Sequence, residues 1–392
     1  MASYQHREGM ARRGFLRVAG IAGAASLAAA ACTPTAAPAP ASPSQPASPT
    51  KAAWENEWDK LAAAAKQEGK LVILYTAATG FREAPQAFGK EFGIEVEAVA
   101  GGSSAAMWIP KIRQERAAGI YSFDVATVPP NSAISQLGPE GAWESVRSAL
   151  FRPDILDDKV WTDSFDERFM DKNKQTAFAW EYNVYHSVWV DTDVVKPGEI
   201  TTAADLLAPK WKGKIISADV RTGSIFIPVA SLRLAGKDAV IKPLLADQEP
   251  TYTRDSRALA EGVVRKRFPI GFGIQAIYLK EYLDQGVANH VKHLDIPELD
   301  YIPSYSVFLF NRAPHPNAAK LFLNWFLTKE GQTTYAKTLP TNSARKDVNV
   351  FDPSGAGTPG KKYFISGREQ NSELIDSSRK IATDAVGIQN VS

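Results

Sequence analysis

The chain has 392 residues, of which 44% are hydrophobic and 22% charged. That is ordinary globular composition and excludes a disordered or collagen-like chain. Its 45 Lys and Arg against 43 Asp and Glu argue against a dedicated nucleic-acid binder. A single cysteine excludes an internal disulfide and a cysteine-based zinc site, and the five histidines form no H-E-x-x-H pattern. The length predicts two domains at roughly 100–200 residues each.

Residues 1–31 read as an export signal. Arg12-Arg13-Gly14-Phe15-Leu16-Arg17 precedes an apolar stretch over 18–31. That stretch is too short for the roughly 20 residues that span a bilayer and suits a signal peptide. The arginine pair fits twin-arginine export and also an ordinary basic start to a general secretory signal. Ala29-Ala30-Ala31 then sets small residues before Cys32, the only cysteine. The arrangement is similar to a lipobox, with Ala29 where leucine is usual; plain cleavage after small residues is the other reading. Residues 32–50 are Pro/Ala/Ser-rich and read as a tether, which would hold an exported domain at a membrane if Cys32 is lipidated. The signal holds four arginines against one glutamate, so the remainder is close to neutral.

Beyond the tether, strands and helices alternate. Apolar residues recur at helical spacing over 54–66, with Gly69 as a stop. A buried strand is predicted at 71–75, a helix at 85–92, a strand at 94–99, a helix at 105–118 and a strand at 123–128. The pattern repeats later: strand 214–217 and helix 225–234, then strand 268–273 and helix 274–283. Alternation of this kind predicts sheets covered by helices. Trp180, Trp189 and Trp325 read as core. His290-Val291-Lys292-His293 reads as two imidazoles on a solvated helix face.

Ligands of open α/β sheets sit at the carboxyl ends of the strands. Four turns, at 76–80, 101–104, 221–224 and 273–275, each follow a strand, precede a helix and carry small polar residues. Each is a helix cap when taken alone; together they point to a common cleft, where helix N-termini favour negative charge. Candidate ligand residues are Thr76, Thr79, Ser103, Ser104, Thr222, Gly223, Ser224 and Gln275. Arg221 adds a fork suited to carboxylate or phosphate. Its competing partner is Asp219, two residues back.

Tyr182-Asn183-Val184-Tyr185, Asp191-Thr192-Asp193-Val194-Val195, Thr202-Ala203-Ala204-Asp205-Leu206-Leu207 and Pro209-Lys210-Trp211-Lys212-Gly213-Lys214-Ile215 form one signature. A second runs from Pro316-Asn317-Ala318-Ala319 through Asn324-Trp325-Phe326 to Glu330-Gly331-Gln332. Together they resemble the extracellular solute-binding proteins of ABC importers, nearest the ferric-iron and anion-binding branch. The resemblance covers about 71–345. It implies an α/β, two-lobed periplasmic-binding-protein fold of type II, each lobe a mostly parallel sheet with helices on both faces, joined by a hinge. Lobe one would be 51–178 plus 304–345 and lobe two 183–300, with crossings near 179–183 and 301–305. Residues 346–392 are left unplaced.

The same resemblance implies a monomer that captures a small polar solute and delivers it to a membrane permease and its ATPase, with no cofactor, no nucleic acid and no catalysis. An anionic solute is the first expectation, held by Arg221 and its turn, with Arg254, Tyr182, Tyr278 and Tyr305 completing the site; a sugar, a polyamine or another polar solute is the other possibility. Ferric iron is the alternative. Its two-tyrosine motif is broken here, because Ile277 precedes Tyr278 and the 76–80 turn has no histidine. An extracytoplasmic enzyme is the rival class, with no G-x-S-x-G and no P-loop to support it.

Overall fold

The structure is a computed structural model. It describes residues 52–76, 79–102, 105–339 and 341–387. The expected signal, Cys32, the tether, Ser103 and Ser104 lie outside the described residues, as does the side chain of Thr79.

In chain order the described strands are β1 (Lys70–Tyr75), β2 (Glu95–Ala100), β3 (Val125–Val128), β4 (Trp143–Glu144), β5 (Phe178–Ala179), β6 (Val188–Asp191), β7 (Ile215–Ala218), β8 (Thr251–Thr253), β9 (Ile270–Phe272), β10 (Val291–Leu294), β11 (Tyr301–Ile302), β12 (Ser306–Phe310) and β13 (Phe364–Ile365).

The first sheet has β1 between β2 and β3, both parallel to it, with β12 antiparallel to β3, β4 and β5. Its centre is the run Leu71 to Tyr75, buried throughout, as a strand covered on both faces requires. The helix Ala53–Glu68 delivers the chain to β1 and ends at Gly69, whose φ of 69° is the left-handed conformation glycine adopts freely. The helix Pro316–Phe326 lies beside it, with Phe322 and Trp325 packed on Phe88 at centroid distances of 5.3 and 5.6 Å.

The second sheet runs β10-β6-β9-β7-β8. β7 is parallel to β8 and β9, while β6 is antiparallel to β9 and β10. Both sheets are therefore mixed. The parallel pairs are the ones read from strand–helix–strand alternation. The antiparallel pairs involve strands beside the crossings, which enter a sheet from the other lobe rather than from a covering helix.

The chain leaves the first sheet after β5 and enters the second at β6; it leaves after β10 and returns at β12. A third strand of chain joins these crossings. β13 pairs with β11, and the helix Ser372–Ala385 packs on the helix Gly223–Leu234, burying Ile375 and Ala382 in the second lobe's core. Arg233 fixes that contact by donating to Ser377 Oγ at 2.7 Å and Ser378 Oγ at 2.9 Å.

Among the described residues no helix is long and apolar enough to cross a membrane. The expected helix at 290–293 is strand β10, paired with β6 so that His293 sits opposite Trp189. His293 is correspondingly half-buried rather than solvated, and burial beside His186 pushes its pKa down to about 4.

Candidate functional site

A cavity of about 550 Å³ lies where the chain crosses between the sheets. That size suits a small molecule, for which sites of roughly 300–1,000 Å³ are usual. Its floor is the crossing segment: Trp180, Glu181, Asn183, Val184, Tyr185 and His186 all border it. Lobe one contributes Phe81, Tyr305 and Thr341, and lobe two contributes Trp189 and residues 274–277. The loop 351–355 closes a further side with Phe351 and Asp352.

Local interactions hold this wall in place. The Asn342 carboxamide receives the amides of Phe351 and Asp352 at 3.1 and 3.0 Å, and itself donates to Asn183 Oδ1 at 2.8 Å. Asn183 donates in turn to Asp352 Oδ2 at 3.3 Å, and the Val184 amide donates to the Gly355 carbonyl at 2.9 Å. The loop is thereby stitched to the crossing segment.

Three buried polar atoms on lining residues find no partner among the described residues: Trp180 Nε1, Glu181 Oε2 and His186 Nε2. Most buried polar side-chain atoms are satisfied, and an orphan is costly unless something completes it. Glu181 is 5% exposed and receives the Thr341 hydroxyl at 2.6 Å. Burial, helped by the nearby Asp352 carboxylate and opposed by the Thr341 hydroxyl and the Tyr305 amide, raises its pKa to about 7. Tyr305, whose hydroxyl is hydrogen-bonded to Thr76, is pushed up to about 12 by burial and by Glu181.

His186 is oriented by Asp300, whose Oδ2 lies 2.7 Å from Nδ1. Asp300 also accepts the amides of Ser187 and Ile296, at 2.8 and 2.9 Å. An acceptor-only carboxylate places the imidazole proton on Nδ1 and leaves Nε2 as a lone-pair acceptor. His186, Asp295 and Asp300 bring ligand atoms within 4.8 Å of one another, a spacing that could hold a metal. Their oxygens are already engaged, however: Asp295 holds Lys361 at 2.9 Å, Tyr363 at 3.0 Å and the Thr358 hydroxyl. The cluster reads as a hydrogen-bonded brace under the floor.

The expected site residues separate into groups. Gln275 and Tyr305 border the cavity, and Thr76 reaches it through Tyr305. Ser224 is buried and receives Gln275 Nε2 at 3.2 Å, so the 221–224 and 273–275 turns do converge. Thr222 caps the helix Gly223–Leu234, and its hydroxyl donates to the Asp219 carbonyl at 2.7 Å. Neither Thr222 nor Gly223 borders the cavity.

Arg221 turns back on Asp219, donating from Nε to Oδ1 at 2.7 Å and from its second arm to Oδ2. Arg254 adds a third contact to that carboxylate, at 3.0 Å. Asp219 is accordingly held below the usual carboxylate range, first by the Arg221 hydrogen bond. The two arginines expected to meet an anion are thus tied to a carboxylate and do not border the cavity. Tyr182 lies over buried Arg168, 5.4 Å from its guanidinium, also away from the cavity. Tyr278 is 40% exposed on the helix Ile277–Asp284, behind Ile277 at 72%.

Sequence reasoning missed Glu181, His186, Phe351 and Asp352, and placed Trp180 and Trp189 in the core alone. Both tryptophans are indeed buried, at 0% and 4%, yet each also borders the cavity. The available signal was a lone carboxylate and a lone imidazole inside the aromatic run Phe178 to Val190.

A cavity between two mixed sheets, floored by the crossing chain, is a solute-capture geometry, and the family profile agrees. The bacterial extracellular solute-binding protein profile matches residues 75–333. The chain belongs to that family. No curated protein sequence matches it. Solved structures share the fold at low identity. Ferric iron-binding protein A of Mannheimia haemolytica, in an open conformation, is 13% identical, with a TM-score of 0.65 over 81% of this chain and 98% of that one. A Trichodesmium protein (IdiA, FutA) in complex with iron and citrate is 17% identical, with a TM-score of 0.63 over 82% and 100%. An ABC transporter structure from Clostridium perfringens is 16% identical, with a TM-score of 0.61 over 81% and 100%. The two-lobed solute-binding fold expected from the sequence is the fold observed.

Proposed function

We propose that this solute-binding protein captures one small polar organic solute in the cavity at the lobe crossing and delivers it to an ABC importer, acting outside the cytoplasm as a monomer held to the membrane through Cys32. The observation that carries the capture reading is a cavity of about 550 Å³ bordered by the crossing segment and by residues of both lobes. The family and the fold are those of transport binding proteins, and binding without turnover follows from that reading.

Ferric iron is the second reading, prompted by what the Mannheimia and Trichodesmium proteins bind. A hard trivalent cation calls for several anionic oxygens. At the matching place Tyr278 stands beside Ile277, and burial drives the phenols of Tyr305 and Tyr185 upward, away from the phenolate form. An organic solute is favoured on these grounds.

The test uses tryptophan fluorescence, because Trp180 and Trp189 border the cavity. Solute released by denaturing the purified protein is identified by mass spectrometry and titrated back. Saturable one-to-one quenching without consumption of the solute is expected. Turnover of the solute, or a ferric ion released in its place, refutes the reading.

A further inference from the structure

We propose that the solute is a small organic ammonium ion, its positive charge seated against Glu181 within a ring of aromatic faces. This rests on the capture reading and names the class of solute that the same cavity takes.

Two features of the cavity carry the assignment. The first is charge. Glu181, Asp284 and Asp352 line it, and Lys280 is the one lysine or arginine that does so among the described residues. Lys280 is held by Asp284 at 2.9 and 3.0 Å on its own helix. Glu181 therefore has no counter-ion among the described residues. A buried carboxylate in that position either keeps its proton or takes a cation from outside.

The second is the surface. Phe81, Trp180, Tyr185, Trp189, Tyr305 and Phe351 supply aromatic groups to the wall. The face of such a ring carries negative charge density and attracts a cation within about 6 Å, most strongly where water is excluded. An anion brought to the same place would meet the aromatic wall and three carboxylates.

The expected anion site at Arg221 offers nothing comparable, since both of its arginines close on Asp219.

The experiment titrates the full chain with choline, putrescine, citrate and glucose by calorimetry and thermal shift, in wild type, Glu181→Gln and Arg221→Ala. Glu181→Gln keeps the shape of the side chain and removes only its charge; circular dichroism confirms its fold. Saturable binding of choline or putrescine, weakened at least about tenfold in Glu181→Gln, is expected, the size of loss that accompanies a buried charge-assisted contact. A second variant, Trp189→Leu, tests the aromatic wall independently and should weaken the same probe. Binding of citrate that is lost in Arg221→Ala overturns the ammonium assignment and leaves capture intact. Binding of glucose, with Glu181→Gln unchanged, does the same in favour of a neutral solute. If no probe binds and no solute is released from the purified protein, the capture reading falls with it.

Discussion

At the scale of single residues, Glu181 decides most. Its pKa of about 7 lies above its ordinary value of 4.5. Between those pH values the folded protein keeps a proton that the unfolded chain has released. Stability is therefore complete below about pH 4.5 and is lost as pH rises towards 7. At 1.36 kcal/mol per pH unit the loss is on the order of 3 kcal/mol. Asp352 steepens it, while the Thr341 hydroxyl and the Tyr305 amide oppose it. Glu181→Gln should flatten melting temperature against pH across this window and melt several degrees above wild type at pH 8. Parallel curves for the two proteins would show that the carboxylate is not the group responsible.

Residue identities were legible in the sequence; their partners were only partly so. Arg221 reads correctly as a guanidinium at a strand–helix turn, and Asp219 two residues earlier is visible as its competitor. Which one prevails is set by the local bend, in which the Arg221 amide and side chain both reach Asp219 Oδ1, at 3.0 and 2.7 Å. Glu181 and His186 were illegible as site residues for a different reason. Their partners arrive from far along the chain, Thr341 and Tyr305 at Glu181 and Asp300 at His186, and no local pattern records that approach.

At the scale of elements, period and flanking signals worked wherever an element packs by itself. Strand β1 and helix Ala53–Glu68 fall within two residues of expectation because apolar run, helical spacing and Gly69 agree. The expected helix at 85–92 is observed as Gln86–Phe92, and a further short helix, Thr79–Glu83, precedes it across Ala84-Pro85. Strand β10 was read as helix because two histidines and a lysine obscure its alternation. The C-terminal helix could not be placed, since an amphipathic helix fits any apolar groove and only Arg233 and its serine partners mark this one.

The loop 351–355 carries an element-scale prediction. Gly355 lies so close to the Asn183 carboxamide that an added Cβ would collide with it. Asn183 cannot step aside freely, being hydrogen-bonded to Asn342 and Asp352. Gly355→Ala should then destabilise the protein by about 1–3 kcal/mol, the usual cost of overpacking a fixed contact. Chemical denaturation measures it. The double variant with Asn183→Ala should recover part of that loss, because the clashing group is gone. Fully additive losses would place the cost elsewhere than in this contact.

At the scale of the whole molecule, the two α/β lobes and their crossings were readable because each lobe repeats the same alternation on either side of the segment 179–187. The third connection was not. Residues 346–371 run from lobe one past the cavity, pair β13 with β11 beside the crossing, and lead to a helix anchored on lobe two. Three chain segments thus link the lobes: the second and third meet at the β11–β13 pair, and the first joins the second at the bridge from Tyr185 to Tyr301. Such an arrangement leaves hinge rotation available and resists sliding, since a slide would break the ladder at β11–β13 while a rotation needs only a few residues to change φ and ψ. Binding should therefore draw the lobes together about this ladder. X-ray scattering with the released solute added back should show a smaller radius of gyration. The melting temperature should rise with solute concentration, because the solute binds the folded state alone. A disulfide introduced across β11–β13 would leave closure intact if the motion is a hinge centred there. An unchanged scattering curve at saturating solute, alongside a raised melting temperature, would mean that the cavity binds without closing and that the three connections hold the lobes in one fixed arrangement.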